Sequence, residues 1–320
     1  MAKILVWTQH SATGDRSEIN LRFGESYLWS RLSARDEGCT LNRCANAMQG
    51  QCPFYQARQR AESASVLIVN HALLISDANS ANRVLPDYRY LIVDEAHQLE
   101  DAITHGMSQR FDALGLQRRL TDLGGLTSGI LGDLLLNMRG RITDKQYLKL
   151  ETFITDLSAA IRGMKTPVKL FFGKIQEFCQ DHDSRDAIRV DAETRRKASF
   201  APVDAAWMEL ADYLEVVSES LTQLSTAITR FADQNIPYYD DHVNSILAAA
   251  GYFADVLQTF RALVKRPDAN MIYWIAPNHN ADNISLQTAP LHIGPLMESH
   301  VWRSKESVIL TSATLQTPPA

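Results

Sequence analysis

The chain has 320 residues, of which 45% are hydrophobic and 22% charged, with a formal net charge of −5. That balance allows a sizeable core divided over two or three domains and excludes a uniformly basic nucleic-acid-binding surface, though not a basic groove. No run approaches the ~18 apolar residues of a membrane span, and the first residues lack the long apolar region and cleavage site of a signal peptide, so the chain reads as soluble and cytoplasmic.

Residues 1–60 read as irregular and hold three of the four cysteines, Cys39, Cys44 and Cys52. Their surroundings, RDEGCTLNRCANAMQGQCPFY, are polar, and cysteines in a polar stretch are poorly explained by packing. In a reducing compartment such clustering points to a metal or cluster site rather than to disulfides. A tetrahedral Cys₃His zinc site completed by His71 or His97 is one reading, and an iron–sulfur cluster is the other. Cys179 lies on the apolar side of a helical pattern and reads as core.

Over residues 61–104 the pattern is α/β. Val66-Leu67-Ile68-Val69 and Tyr90-Leu91-Ile92-Val93 are short apolar runs that suit parallel strands buried on both faces. The first ends at Asn70-His71 and the second at Asp94-Glu95, with a polar, turn-rich linker between them.

Residues 105–268 read as helical. Helices are expected around Phe111, Leu114 and Leu120, and along Leu150, Phe153, Leu157 and Ile161. Pro167 and Gly173 are expected to break them. Trp207, Leu210, Leu214, Val217, Leu221, Leu224, Ile228 and Phe231 recur at spacings of three and four. Val243, Ile246, Ala250, Phe253, Leu257, Phe260 and Val264 do the same, and each series makes one apolar stripe. The intervening DQNIPYYDDH suits a reversal, so the two helices should pack antiparallel. Strand character returns in 269–320, at Met271–Ile275, Ile284–Leu286 and Val308–Leu310, as if the helical block were inserted into one α/β domain.

Two motifs carry chemistry. Asp94-Glu95-Ala96-His97 follows an apolar strand, whose C-terminal edge is where open α/β sheets bind ligands. There Asp94 would hold Mg²⁺ through water and Glu95 would activate a water against the γ-phosphate of ATP. His97 offers a hydrogen-bonding link to a neighbouring strand. The plain alternative is a solvated acidic turn. The second motif is Thr311-Ser312-Ala313-Thr314 after Val308–Leu310, whose hydroxyls can bond a residue such as His97. Alone it is weak, because Ser and Thr are frequent at strand ends.

Together these motifs resemble motifs II and III of a superfamily 2 helicase. The order Cys39-x4-Cys44-x7-Cys52-Pro53-Phe54-Tyr55, then Val69-Asn70-His71-Ala72-Leu73-Leu74, resembles the DinG/XPD family across essentially the whole chain. The resemblance implies an α/β fold. In it, a partial RecA-like parallel sheet is interrupted by an iron–sulfur segment (1–60) and a helical arch (105–268). Residues 61–104 and 269–320 would be the first motor domain and its return. It implies ATP-driven 5′→3′ unwinding of DNA in repair or replication, Mg²⁺, and a [4Fe–4S] cluster on Cys39, Cys44 and Cys52. Implied partners are single-stranded DNA, forked or structured DNA and a single-strand-binding protein.

The residues depart from that pattern in two ways. No G-x-x-x-x-G-K-[ST] phosphate loop occurs, and only three of four cluster cysteines are present. The expectation is therefore a piece of a longer helicase, with the missing parts on either side and no appreciable ATPase of its own. Candidate DNA contacts are Arg58, Arg60, Phe54, Tyr55, Asn70 and His71, with packing as the plainer reading of Phe54 and Tyr55. Arg118-Arg119 and Arg195-Arg196-Lys197 read as solvated surface. The competing class is a non-catalytic metal-binding module that contacts DNA or protein; the preserved Asp94, Glu95 and His97 argue against it.

Overall fold

The computed structural model describes residues 2–11, 13–22, 25, 29, 51–79, 84–181, 187–277 and 284–314. In chain order the helices are α1 (Ala2–His10), α2 (Pro53–Glu62), α3 (His71–Asn79), α4 (Leu99–Met107), α5 (Ala113–Leu123), α6 (Gly129–Met138), α7 (Asp144–Asp181), α8 (Ala192–Arg196), α9 (Ala201–Ile228), α10 (Tyr239–Val264) and α11 (Gly294–His300). The strands are β1 (Tyr90–Val93), β2 (Gln109–Asp112), β3 (Ile188–Arg189), β4 (Met271–Pro277), β5 (Ile284–Pro290) and β6 (Ser307–Leu310). The result is a mostly helical α/β chain with one small parallel sheet and one antiparallel sheet. No helix among the described residues is long and apolar enough to cross a membrane. The chain divides into two compact units, one of residues 1–102 with 297–320 and the other of residues 103–296.

In the first unit β1 and β6 pair in parallel, with Tyr90 opposite Ser307 and Val93 opposite Leu310. Val93 is buried whereas Tyr90 and Ile92 are exposed, as is Ile309 of β6. This corrects the expectation of strands buried on both faces: alternate side chains of a pleated strand point to opposite sides, and only one side is covered here. Val66–Val69, expected as a strand, has no ladder partner among the described residues, and Val66 and Ile68 are exposed. β-propensity measures fit to a packed pleated surface, and without a neighbouring strand it has nothing to act on. Residues 51–62, expected to be irregular, include α2, whose Pro53 occupies the first turn and is preformed for helix there.

The second unit is built on α7, α9 and α10. The described members of both predicted stripes face inward. Trp207, Leu210, Leu214, Val217, Leu221, Leu224 and Ile228 are buried on α9, and Ile246, Ala250, Phe253, Phe260 and Val264 on α10. The pair is antiparallel. Tyr239 at the start of α10 donates its hydroxyl to the carbonyl of Ile228 at 3.1 Å, while Lys265 just past its end reaches Asp204 at 2.7 Å. Phe171 of α7 stacks on Phe260 at 5.4 Å and tilts against Trp207 at 6.0 Å. Cys179 is buried on α7, where the apolar surroundings push its thiol up to about 11, consistent with a core role.

Three further expectations fail in this unit. Pro167 and Gly173 do not break a helix; both lie inside the 38-residue α7. Pro167 is buried, as are Met164, Val168 and Phe171 of the same helix. Packing of these side chains outweighs the roughly 3 kcal/mol that an interior proline costs. Phe111, read as helical, lies on β2, and the helix follows it, capped by Asp112, whose carboxylate accepts from the Gly115 amide at 2.7 Å. The strands at 271–277 and 284–290 join this unit, not β1 and β6. They form the antiparallel sheet β2-β5-β4-β3, so the unit runs on to Leu296 rather than ending at residue 268. β2, just after β1 in the chain, supplies the partner for β5, with Phe111 opposite Leu286.

Candidate functional site at the edge of the parallel sheet

Because β1 and β6 run parallel in register, the residues that follow each of them leave the same sheet edge. The ladder extends one step past the strands, where the Thr311 amide donates to the Val93 carbonyl at 2.8 Å. From there the two segments interlock. The Ala96 amide donates to the Thr311 carbonyl at 2.9 Å, and the Thr311 hydroxyl donates to Asp94 Oδ1 at 2.7 Å. The Glu95 amide donates to the same oxygen at 3.0 Å.

These donors favour the carboxylate form of Asp94. Its pKa is held below the ordinary value first by the Thr311 hydroxyl, then by the Glu95 amide, with His71 adding a smaller electrostatic contribution. Asp94 is exposed, and among the described residues both of these bonds fall on Oδ1. An ionised, solvent-facing carboxylate with its other oxygen available suits a hydrated divalent cation.

Glu95 sits at φ 50°, ψ 45°, the left-handed region, which is uncommon for a residue with a side chain. The turn leads into the single 3₁₀ turn Ala96–Gln98, which carries His97. His97 Nδ1 lies 2.7 Å from the Ser312 hydroxyl and 3.3 Å from Glu95 Oε2. The Ser312 oxygen accepts from the Thr314 amide at 3.2 Å and lies 3.4 Å from the Thr314 hydroxyl. A continuous path of polar contacts thus runs from Glu95 through His97 and Ser312 to Thr314. Ala313 stands between the two hydroxyl residues, with no polar side chain to contribute.

His71 joins this cluster, at a place that its sequence position gave no reason to expect. Its Nε2 lies 2.9 Å from the Asp94 carbonyl. Asn70, immediately before it, uses its side-chain oxygen to accept the Leu73 amide at 2.8 Å, capping the start of α3. Both were read as candidate DNA contacts; in the structure Asn70 serves a helix end and His71 reaches the acidic turn. No spacing rule links residues 71 and 94, so nothing in the sequence announced the contact.

The remaining candidates that are described lie on α2 or just before it. Cys39 and Cys44 are outside the described residues. Cys52 is free and partly exposed, and its carbonyl accepts the Gln56 amide at 3.0 Å at the start of α2. Among the described residues no group of three or more His, Cys, Asp or Glu is placed to hold a metal. Phe54 and Arg58, one helical turn apart, share a face of α2, whereas Arg60 points to nearly the opposite side. No residue of α2 is buried. Phe54 is 38% exposed. The Tyr55 hydroxyl accepts from Gln59 at 2.7 Å.

The DEAD_2 family matches residues 36–115, which include the three clustered cysteines and Asp94–His97. The chain is 26% identical over 329 aligned residues to the 3'-5' exonuclease DinG of Bacillus subtilis (strain 168), covering 98% of this chain and 34% of that protein. It is 25% identical over 316 residues to the ATP-dependent helicase DinG of Mycobacterium tuberculosis (strain ATCC 25177 / H37Ra), covering 98% of this chain and 40% of the relative. The ATP-dependent DNA helicase YoaA of Escherichia coli (strain K12) is 26% identical over 147 residues, 45% of this chain and 21% of that protein. The chain therefore spans between about a third and two-fifths of the length of the DinG relatives it matches.

Proposed function

We propose that this chain belongs to the DinG-like helicase family and that the whole protein is an ATP-dependent DNA helicase whose hydrolytic acids are Asp94 and Glu95. The observation that carries the reading is the interlock of Asp94-Glu95-Ala96-His97 with Thr311-Ser312 at one edge of a parallel sheet. A solvated acidic turn has no need of a threonine hydroxyl and a serine–histidine contact reaching it from another strand.

In this reading Asp94 holds Mg²⁺ through water, as its ionised and exposed carboxylate fits it to do. Bound there, Mg²⁺ would neutralise charge developing on the ATP phosphates. Glu95 orients the attacking water and takes its proton. His97 and Ser312 pass the state of the acidic turn to Thr314 and the chain beyond it. The first unit is then the acid-bearing part of a RecA-like motor domain, and the second is the helical arch inserted into it, carrying its own small antiparallel sheet.

Cys39, Cys44 and Cys52 would supply three thiolates to a [4Fe–4S] cluster, the fourth ligand coming from outside this set. Cys52 suits that role in being reduced, partly exposed and at the start of a helix that none of its own side chains buries. The proposed DNA is single-stranded, running from forked or structured substrates with 5′→3′ polarity, with a single-strand-binding protein as partner and the cytoplasm as location. Arg58 and Phe54 are the better-placed candidates on α2, offering a cation and a stacking face on one side.

The deciding experiment uses the full-length protein. Wild type should hydrolyse ATP faster when single-stranded DNA is added, and Glu95→Gln should lower that rate by on the order of 10²- to 10⁴-fold while nucleotide binding persists. Full activity in Glu95→Gln would remove Glu95 from the chemistry.

A further inference from the structure

We propose that His71 is a positioning residue for hydrolysis, fixing the left-handed turn at Glu95 from the start of α3, and that it is not a DNA contact. This deepens the helicase reading and rests on it.

The turn at Glu95 has two peptide planes, and the structure shows where each is held. The plane between Asp94 and Glu95 is pinned on its N–H side by Asp94 Oδ1 at 3.0 Å, and on its carbonyl side by His71 Nε2 at 2.9 Å. The plane between Glu95 and Ala96 is pinned on its N–H side by the Thr311 carbonyl at 2.9 Å and on its carbonyl side by the Gln98 amide at 2.9 Å. A non-glycine residue in the left-handed region is strained and persists only where its surroundings fix it. Of these four restraints, His71 is the one delivered by a side chain outside both strand-end motifs.

The chemistry of the contact defines the histidine. A carbonyl oxygen only accepts, so Nε2 carries the hydrogen. The bond therefore survives in both the neutral Nε2–H form and the imidazolium. α3 makes the placement stiff: Asn70 caps its first turn, and Leu74, Ile75 and Ala78 bury its inner face. Without the imidazole this plane between Asp94 and Glu95 keeps only its N–H restraint from Asp94 Oδ1, and the Glu95 side chain can drift from the attack line. Displacements of about 1 Å at a reacting group can cost on the order of a hundredfold in rate.

The test compares His71→Ala and His71→Gln with wild type in the full-length protein, measuring ATPase at saturating single-stranded DNA, nucleotide KM, and DNA affinity across salt. Positioning predicts a fall in kcat of roughly 10- to 100-fold in His71→Ala, with nucleotide KM and DNA affinity within about twofold of wild type, a margin well below one decade of binding. His71→Gln, whose amide N–H can reach the same carbonyl, should recover most of the rate. If His71→Ala does not fold, His71→Leu keeps the bulk without the donor and takes its place. Lost DNA affinity with a flatter salt dependence and unchanged kcat would overturn the proposal and return His71 to the DNA path. Equal loss in Ala and Gln variants would overturn it too. A wild type without DNA-stimulated ATPase would instead defeat the helicase reading itself, and the proposal with it.

Discussion

The Thr311 hydroxyl stands 2.7 Å from Asp94 Oδ1 across 217 residues of chain. It is the largest of the influences that keep Asp94 ionised, and it comes from the residue just before the Ser-Ala-Thr triplet. The hydroxyls of the second motif therefore divide their work: Thr311 holds Asp94, and Ser312 holds His97.

Thr311→Val keeps the shape and removes the donor. A group whose folded pKa is depressed is ionised above that value and loses its charge as pH falls through it. In Thr311→Val the Asp94 value moves back up, so the acid limb of the ATPase pH profile should shift to higher pH. Half-maximal Mg²⁺ should rise by on the order of tenfold, the worth of one hydrogen bond to a charged group. An unmoved acid limb would mean that the contact does not tune the acid.

Cys52→Ser in anaerobically purified full-length protein should lower bound iron and labile sulfide together, because a thiolate ligand is lost from the cluster. Zinc in place of iron, with no labile sulfide in wild type, would replace the cluster proposal with a zinc site.

Arg58→Ala should reduce the dependence of single-strand affinity on salt by about one phosphate contact, a slope change of about 0.7. Arg60→Ala, on the other side of α2, should change it less. Identical slopes in wild type and Arg58→Ala would take α2 off the DNA path.

His242 is buried at the start of α10, and Asn137 Nδ2 lies 2.9 Å from its Nε2. Burial lowers its basicity, outweighing the opposing pull of Asp133 and Asp241. A histidine held neutral in the fold takes up protons on unfolding, so stability is complete above its unfolded value and declines as pH falls below it. Thermal unfolding should show a lower midpoint at pH 5 than at pH 7. His242→Gln should flatten that trend, and an unchanged slope would assign it to other groups.

What the sequence revealed depended on whether a residue's partner lay within its own pattern. The α9 and α10 stripes were legible because period and burial coincide on one helix. Asp94–His97 and Thr311–Thr314 were legible because each closes an apolar strand. Partners across the chain were not. Nothing in Phe111 told that it would face Leu286 on a sheet, and Val66–Val69 has strand residues without a strand neighbour among those described. Pro167 misled for a different reason. Its local cost is real, but it is outweighed by Met164, Val168 and Phe171 packing on the same face. The link from His71 to a main-chain carbonyl carries no signature, since a carbonyl is common to every residue.

The parallel register of β1 and β6 also bears on how the molecule is made. Leu91 and Val308 become neighbours only when the two ends of a very long loop meet, and loop closure grows costlier with length, if slowly. The helices of the inserted unit are stabilised by much shorter-range contacts, and contacts close in sequence form sooner. On a growing chain, the acidic turn at Glu95 emerges long before Thr311 and Ser312 exist to hold it. The sheet edge that carries Asp94 and Thr311 is accordingly among the last features to be assembled, after the inserted helices have had time to settle.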